Sequence, residues 1–182
     1  MRVIAGQLKG RRLIAPRGWQ VRPTSDRVRE AVFSALGDVT GAAVLDLYCG
    51  TGALAIEALS RGAAHATLVD RDVRAALGNV RALELDSRAE LVRSDVERWV
   101  GGEGPAGARG AAFDLVFCDP PYRLADRVGP KLDSHLAGLL APGGRLVIES
   151  SARRPLEIAS LALVRRRRYG ATDVAFYGRS GD

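Results

Sequence analysis

The strongest chemical signal in the chain is the run Phe113-Asp114-Leu115-Val116-Phe117-Cys118-Asp119-Pro120-Pro121-Tyr122. It reads as an apolar strand that delivers an acid, two prolines and an aromatic ring to its C-terminal end. Consecutive prolines restrict the backbone, so the carbonyl of Pro120 stays aimed in one direction. Asp119 supplies a second acceptor beside it. Two fixed acceptors suit a group with two N–H bonds, and the ring of Tyr122 suits the face of an unstacked base. The exocyclic amine of guanine, adenine or cytosine has both features. It is a poor nucleophile because its lone pair is delocalised into the ring. A catalyst must therefore hold both N–H groups and favour a pyramidal nitrogen. Asp119, Pro120 and Tyr122 are the candidate catalytic residues. Taken alone, the same run could be no more than a proline-rich turn.

A second motif supplies the partner for such an amine. Val44-Leu45-Asp46-Leu47-Tyr48-Cys49-Gly50-Thr51-Gly52-Ala53-Leu54-Ala55 reads as a buried strand, a glycine turn and a helix start. Gly50 and Gly52 permit a tight turn and close approach of a ligand to the backbone. With Ala55 the spacing also satisfies the dinucleotide-binding fingerprint. Asp46 shifts the balance, because a carboxylate facing the cleft would repel a pyrophosphate. It suits a cation, such as the sulfonium or amino group of S-adenosylmethionine. Asp70, at the end of the next strand, can accept both ribose hydroxyls. Asp95 follows a third strand, where it could read an adenine amino group or cap the short helix after it. The candidate cofactor residues are Asp46, Tyr48, Gly50, Gly52, Asp70 and Asp95. A methyl group passing in line from sulfur to the held amine is the reaction these two motifs share, and positioning supplies much of its rate.

These motifs need a frame that brings their strand ends together. Strands are expected over 43–47, 66–70, 89–92, 113–118 and 145–149. Helices are expected over 53–61, 73–85, 96–100 and 127–140, and 142–144 is a turn. Unalternating apolar strands separated by helices imply a parallel sheet covered on both faces. Two final strands, 161–169 and 173–177, are joined at Gly170 with no room for a crossover helix, so they form an antiparallel hairpin. Residues 101–112 have turn-rich composition and read as a flexible insertion. Ahead of this frame, residues 1–15 alternate weakly around Gly6 and Gly10 and predict a short β-hairpin. A helix follows from Thr24 or Ser25 to Leu36 and stops at Gly37. The expected division is an N-terminal extension over 1–37 and a catalytic domain over 38–182.

Length and charge limit the alternatives. The 182 residues suit one α/β domain with a small extension. No apolar run is long enough to cross a bilayer, and the N-terminal sequence lacks a signal peptide's apolar core; a cytoplasmic protein is expected. Cys49 and Cys118 offer neither a disulfide framework nor a zinc spacing, so no metal is expected. The net charge of +6 lies wholly within residues 1–30, which hold eight basic residues against Asp26 and Glu30. A basic segment on a neutral body looks like an electrostatic footprint for phosphate, although a solvated face would have the same composition. Lys9, Arg11, Arg12 and Arg22 are its candidate RNA contacts. The run Arg165 to Arg168 is a second basic spot.

The order Asp46–Gly52, Asp70, Asp119–Tyr122 resembles the class I amino-methyltransferases. Gly6-Gln7-Leu8-Lys9-Gly10-Arg11, then Arg22-Pro23-Thr24-Ser25-Asp26-Arg27-Val28-Arg29-Glu30-Ala31, is similar to the N-terminal signature of the RsmD family. The closing Arg168-Tyr169-Gly170 and Phe176-Tyr177 resemble that family's last hairpin. The resemblance spans essentially the whole chain. It implies a Rossmann-like, mostly parallel seven-stranded sheet and methylation of a guanine N2 in 16S ribosomal RNA. It also implies assembled small subunits as the partner, no membrane, and a segment near Arg22–Thr24 that approaches the cofactor. A monomer is expected. Tyr122 stands where many members carry phenylalanine; both rings stack. An adenine-N6 methyltransferase differs only in the base and shares Asp-Pro-Pro-Tyr. An NAD(P)-binding oxidoreductase fits the glycines but neither Asp46 nor Asp119. A ribosome-assembly factor with a vestigial pocket fits poorly with intact Gly50, Gly52 and Asp119.

Overall fold

The computed structural model describes residues 1–15, 25–103, 112–121 and 125–179. Thr24, Arg22, Tyr122 and most of the expected insertion lie outside the described residues. Twelve elements follow one another along the chain. They are α1 (Asp26–Leu36), β1 (Ala43–Leu47), α2 (Ala53–Ser60), β2 (His65–Asp70), α3 (Arg74–Ala82) and β3 (Ala89–Arg93), then α4 (Val96–Val100), β4 (Phe113–Cys118), α5 (Ala125–Leu139), β5 (Leu140–Ser151), β6 (Ala162–Tyr169) and β7 (Thr172–Gly178).

The seven strands form one sheet in the order β3-β2-β1-β4-β5-β7-β6. The first five are parallel, and β7 runs antiparallel between β5 and β6. The chain builds outward from β1 to β3, then crosses back to place β4 on the other side of β1. That reversal opens a crevice above the C-terminal ends of β1 and β4, the usual ligand position in such sheets. Both strands are fully apolar where they must be: Val44, Leu45, Leu47, Val116 and Phe117 have no accessible surface. Side chains that alternate across the sheet fill two cores, one under α1, α2 and α3 and one under α4 and α5.

α1 starts at Ser25, whose hydroxyl accepts the Val28 amide, and ends at Gly37. Its Phe33 meets Phe117 of β4 with ring centroids 5.6 Å apart. Val3 and Leu13 of the extension join the same core. The short hairpin expected over 1–15 forms around the antiparallel bridge of Arg2 to Arg12. Backbone bonds join its two arms, Val3 donating to the Arg11 carbonyl at 2.9 Å, Gly10 to the Val3 carbonyl at 2.9 Å and Leu13 to the Met1 carbonyl at 3.1 Å, while other amides reach α2. Ile4 and Ala5 donate to the Glu57 carboxylate at 2.8 and 3.0 Å, Leu8 to the Ser60 hydroxyl at 2.9 Å and Gln7 to the Ser60 carbonyl at 2.8 Å. The extension is therefore a hairpin that also docks against α2. Gly6 permits this approach, because a Cβ there would stand 1.8 Å from the Ser60 carbonyl oxygen.

Two other expectations shift. α3 stops at Ala82, three residues early, and Glu84 adopts φ +57. β5 begins at Leu140 and includes the Pro142-Gly143-Gly144 turn as a bulge, since pairing with β4 jumps from Phe113↔Leu140 to Leu115↔Arg145. No described helix is long and apolar enough to cross a membrane.

Candidate active site

The glycine motif forms a compact loop between β1 and α2. The Gly52 amide donates to the Cys49 carbonyl at 2.7 Å, and Cys49 itself donates to Val69 of β2 at 3.3 Å. Gly52 caps α2 at φ +75, and a Cβ there would come within 2.8 Å of Leu68. The Gly50 amide donates to Asp70 Oδ2 at 3.0 Å, while Asp72 donates to Asp70 Oδ1 at 3.1 Å. Asp70 thus braces the loop from the end of β2, with its carboxylate beside the backbone that a ligand would meet.

Asp46 does not face an open cleft as the sequence led us to expect. It is 2 % exposed and lies beneath the loop, with Oδ2 accepting the Ala55 amide at 3.1 Å. The reason is helix chemistry: α2 has no side-chain cap, so its first-turn amides need an acceptor, and Asp46 supplies one. Burial pushes the Asp46 carboxyl up to about 7; the Ala55 hydrogen bond opposes this and the charge of Asp70 adds to it.

Tyr48 holds φ +60, a conformation that costs a non-glycine residue on the order of 1 kcal/mol. Its hydroxyl is buried with no hydrogen-bond partner among the described residues. Burial raises its pKa, as do nearby Cys118, Glu97 and Asp95. Asp95 acts as the helix cap: one oxygen accepts the Arg98 amide at 3.1 Å, and the other pairs with Arg71, whose Nε donates at 2.8 Å. Burial opposes ionisation of Asp95, but these bonds outweigh it and hold the carboxyl below its ordinary range. Direct reading of an adenine by the free carboxylate gives way to this pairing. The backbone beside it remains at the edge of an open cleft of about 540 Å³, lined by Arg71, Asp95, Glu97, Arg98, Arg127 and Lys131 among others. A second cleft, about 420 Å³, opens at the N-terminal ends of β1 and β4 by Asp38–Ala42 and contains none of the candidate site residues.

β4 brings the second motif to the first. β1 and β4 pair in register up to Leu47↔Cys118, and the Asp119 amide donates to the Leu47 carbonyl at 3.4 Å. Asp119 is half-buried and Pro120 buried at the mouth of the crevice. Both thiols are packed away: burial raises the pKa values of Cys49 and Cys118, which suits small strand-end residues without nucleophilic roles. Among the described residues, no group of three or more histidine, cysteine or acidic side chains could hold a metal. The loop does suit a nucleoside cofactor. The Asp70 carboxylate stands at the end of β2 beside the Gly50 amide, and the Tyr48 hydroxyl lacks a partner among the described residues.

A sequence-family model described as conserved hypothetical protein 95 matches residues 1–178. The chain belongs to this family. Its curated relatives include the "Putative rRNA methyltransferase YlbH" of Bacillus subtilis, 38 % identical and aligned over the full length of both chains. The "Ribosomal RNA small subunit methyltransferase D" of Escherichia coli is 34 % identical over 98 % of this chain and 90 % of its own. A solved structure, "Putative methyltransferase yhhF from Escherichia coli", superposes with a TM-score of 0.81 at 32 % identity, covering 100 % of this chain and 99 % of that one. The resemblance to the RsmD family and the Rossmann-like class I methyltransferase fold both hold.

In this member of the conserved hypothetical protein 95 family, Lys9, Arg11 and Arg12 are exposed, and Arg11 also donates to the Ala82 carbonyl at 3.1 Å. Sequence reasoning missed two buried polar residues that tie this extension to the glycine loop. Asn79 of α3, 1 % exposed, accepts the Ile14 amide at 2.8 Å and donates to the carbonyls of Ile14 and Thr51, each at 3.0 Å. Glu57 of α2, fully buried, binds Ile4, Ala5 and Arg61, and lies 3.7 Å from the equally buried Arg29. The available signal was an acid and an amide on otherwise apolar helix faces, where neither belongs without a partner.

Proposed function

We propose that this protein transfers a methyl group from S-adenosylmethionine to the exocyclic N2 amine of a guanine in small-subunit ribosomal RNA, in assembled subunits in the cytoplasm. The observation that carries this reading is the Asp119-to-Leu47 link. It holds an acceptor-bearing motif directly beside a glycine loop braced by Asp70. End-to-end similarity to relatives named as ribosomal RNA methyltransferases supports the choice of substrate.

S-adenosylmethionine, when bound, supplies an electrophilic methyl on a cationic sulfur. Asp70 would hold the ribose, Gly50 and Gly52 the methionine end, and the backbone beside Asp95 the adenine. The Asp119 carboxylate and the Pro120 carbonyl each accept one N–H of the target amine, turning its lone pair toward the methyl. Tyr122 stacks on the flipped base. Asp119 does not deprotonate the neutral amine, which is far too weak an acid. Once the N–C bond has formed the nitrogen is cationic, and its surplus proton passes to Asp119 or to water. The extension over 1–37 holds RNA phosphates through Lys9, Arg11, Arg12 and Arg22, with Thr24 near the cofactor.

The test is nucleoside mass spectrometry of ribosomal RNA from cells lacking the protein, with methylation of purified small subunits by tritiated cofactor. A missing N2-methylguanosine, restored by the protein, is expected. Loss of N6-methyladenosine instead would assign the same machinery to adenine.

A further inference from the structure

β6 is the outer edge of the sheet, and Arg165, Arg166, Arg167 and Arg168 lie along it. Alternation splits the four between two faces. Arg166 is half-buried and paired with Glu157 at 3.2 Å and Asp173 at 3.3 Å, and Arg168 Nε donates to the Gly170 carbonyl at 3.1 Å. Arg165 and Arg167 point to the other face, opposite Phe176 and Val174. Both are exposed and have no hydrogen bond or ion pair among the described residues.

Sheet register sets their position relative to the crevice. Cys118, Ile148, Ala175 and Arg166 form one row across β4, β5, β7 and β6. Arg167, one residue further along, therefore stands level with Asp119, three strand spacings or about 15 Å away. An RNA strand whose target base enters the crevice and whose backbone runs across β5 and β7 would meet this edge. Charges on an edge strand also serve to block pairing with another chain. That role fits Arg165, which adjoins the exposed Leu163 and Val164, but not Arg167, which lies three residues beyond Val164.

We propose that Arg165 and Arg167 form a second phosphate-binding surface, which grips the RNA backbone flanking the target nucleotide and is separate from the N-terminal basic segment. The proposal rests on the reading of the protein as a ribosomal RNA methyltransferase. Guanidinium groups suit it because their planar donors match phosphate oxygens bidentately. Glu157 and Asp173 are engaged with Arg166.

The experiment compares the wild-type protein with the R165A/R167A and R165K/R167K pairs. It measures equilibrium binding to deproteinised small-subunit RNA across a salt series, then steady-state methylation of small subunits. The alanine pair is expected to weaken RNA binding and raise the KM for subunits by roughly three- to tenfold, the effect of losing two exposed charge contacts. Its salt slope should flatten by about 1.5, since each phosphate contact contributes ~0.7–0.9. Both kcat and cofactor affinity stay at wild-type values. The lysine pair, which keeps the charge, recovers the slope and controls for misfolding. Wild-type affinity and slope in the alanine pair would overturn the proposal, as would aggregation at unchanged RNA affinity. So would weakened binding to intact subunits alone, which would point to a ribosomal protein as the partner. If the wild-type protein itself fails to methylate subunits, the functional reading fails, while the binding series still reads the surface.

Discussion

Asp119 and Asp46 are both aspartates at strand ends beside the crevice, and their environments separate their roles. Asp119 is half-buried at the crevice mouth, where a target amine would arrive. Asp119→Ala is expected to slow single-turnover methylation by one to two powers of ten, the loss of a charge-assisted hydrogen bond of ~1.5–3 kcal/mol. Asp119→Asn, which keeps an acceptor oxygen, should lose less, and cofactor affinity should hold in both. Methylation by Asp119→Ala at the wild-type rate would reduce the motif to a turn. Asp46, in contrast, is buried with its carboxyl raised to about 7. Its folded pKa lies above its unfolded value, so its stabilising effect is complete below pH 4 and is lost as pH rises toward and through 7. Asp46→Asn should flatten that part of the stability profile, measured as urea midpoints between pH 4 and 8. A cation seated over the loop favours the ionised form, so cofactor binding near pH 7 should release part of a proton. Calorimetry in two buffers of unlike ionisation enthalpy reads that release; equal enthalpies would remove Asp46 from the cofactor's field. The sequence located both carboxylates and their strands, but not that α2 lacks a capping side chain and draws Asp46 inward.

The elements that position these residues were legible where the signal is local. β1 and β4 fall at the expected residues because their apolar runs end at Tyr48 and at the prolines, and α1 ends at Gly37 where its stripe stops. The bulge in β5 was not legible, because pairing around Gly143 and Gly144 is decided by β4 across the sheet. Nor was the docking of the N-terminal hairpin, three of whose amides bind side chains 52 and 53 residues away. That arrangement makes Glu57 a keystone between α1, α2 and the extension. Glu57→Ala would leave Arg29 as a buried charge poorly compensated by Asp26, and should cost about 3 kcal/mol, read as a lower denaturant midpoint. A surface-like loss of a few tenths of a kcal/mol would contradict it. Asn79→Ala should act more locally. It strips partners from Ile14 and Thr51, so it should weaken cofactor and RNA binding together, whereas truncating Lys9, Arg11 and Arg12 to alanine should weaken RNA alone.

Across the whole molecule, charge and fold are distributed unevenly. The surplus of positive charge sits at the first residues of the chain, and the sheet that anchors them comes later. Beyond its own hairpin bonds, the extension depends on the rest of the fold, since Val3 and Leu13 need the common core. Its acceptors are Glu57, Ser60 and Asn79. During synthesis this basic stretch precedes its anchors and must stay undocked until α2 and α3 have been made. Contacts so distant in sequence form late, because the loop must close before they reward it. The amides of Ile4, Ala5 and Leu8 should be among the last to gain protection from hydrogen exchange during refolding, after the amides of β1 and β4. Until then the extension would trail as a loose cationic arm.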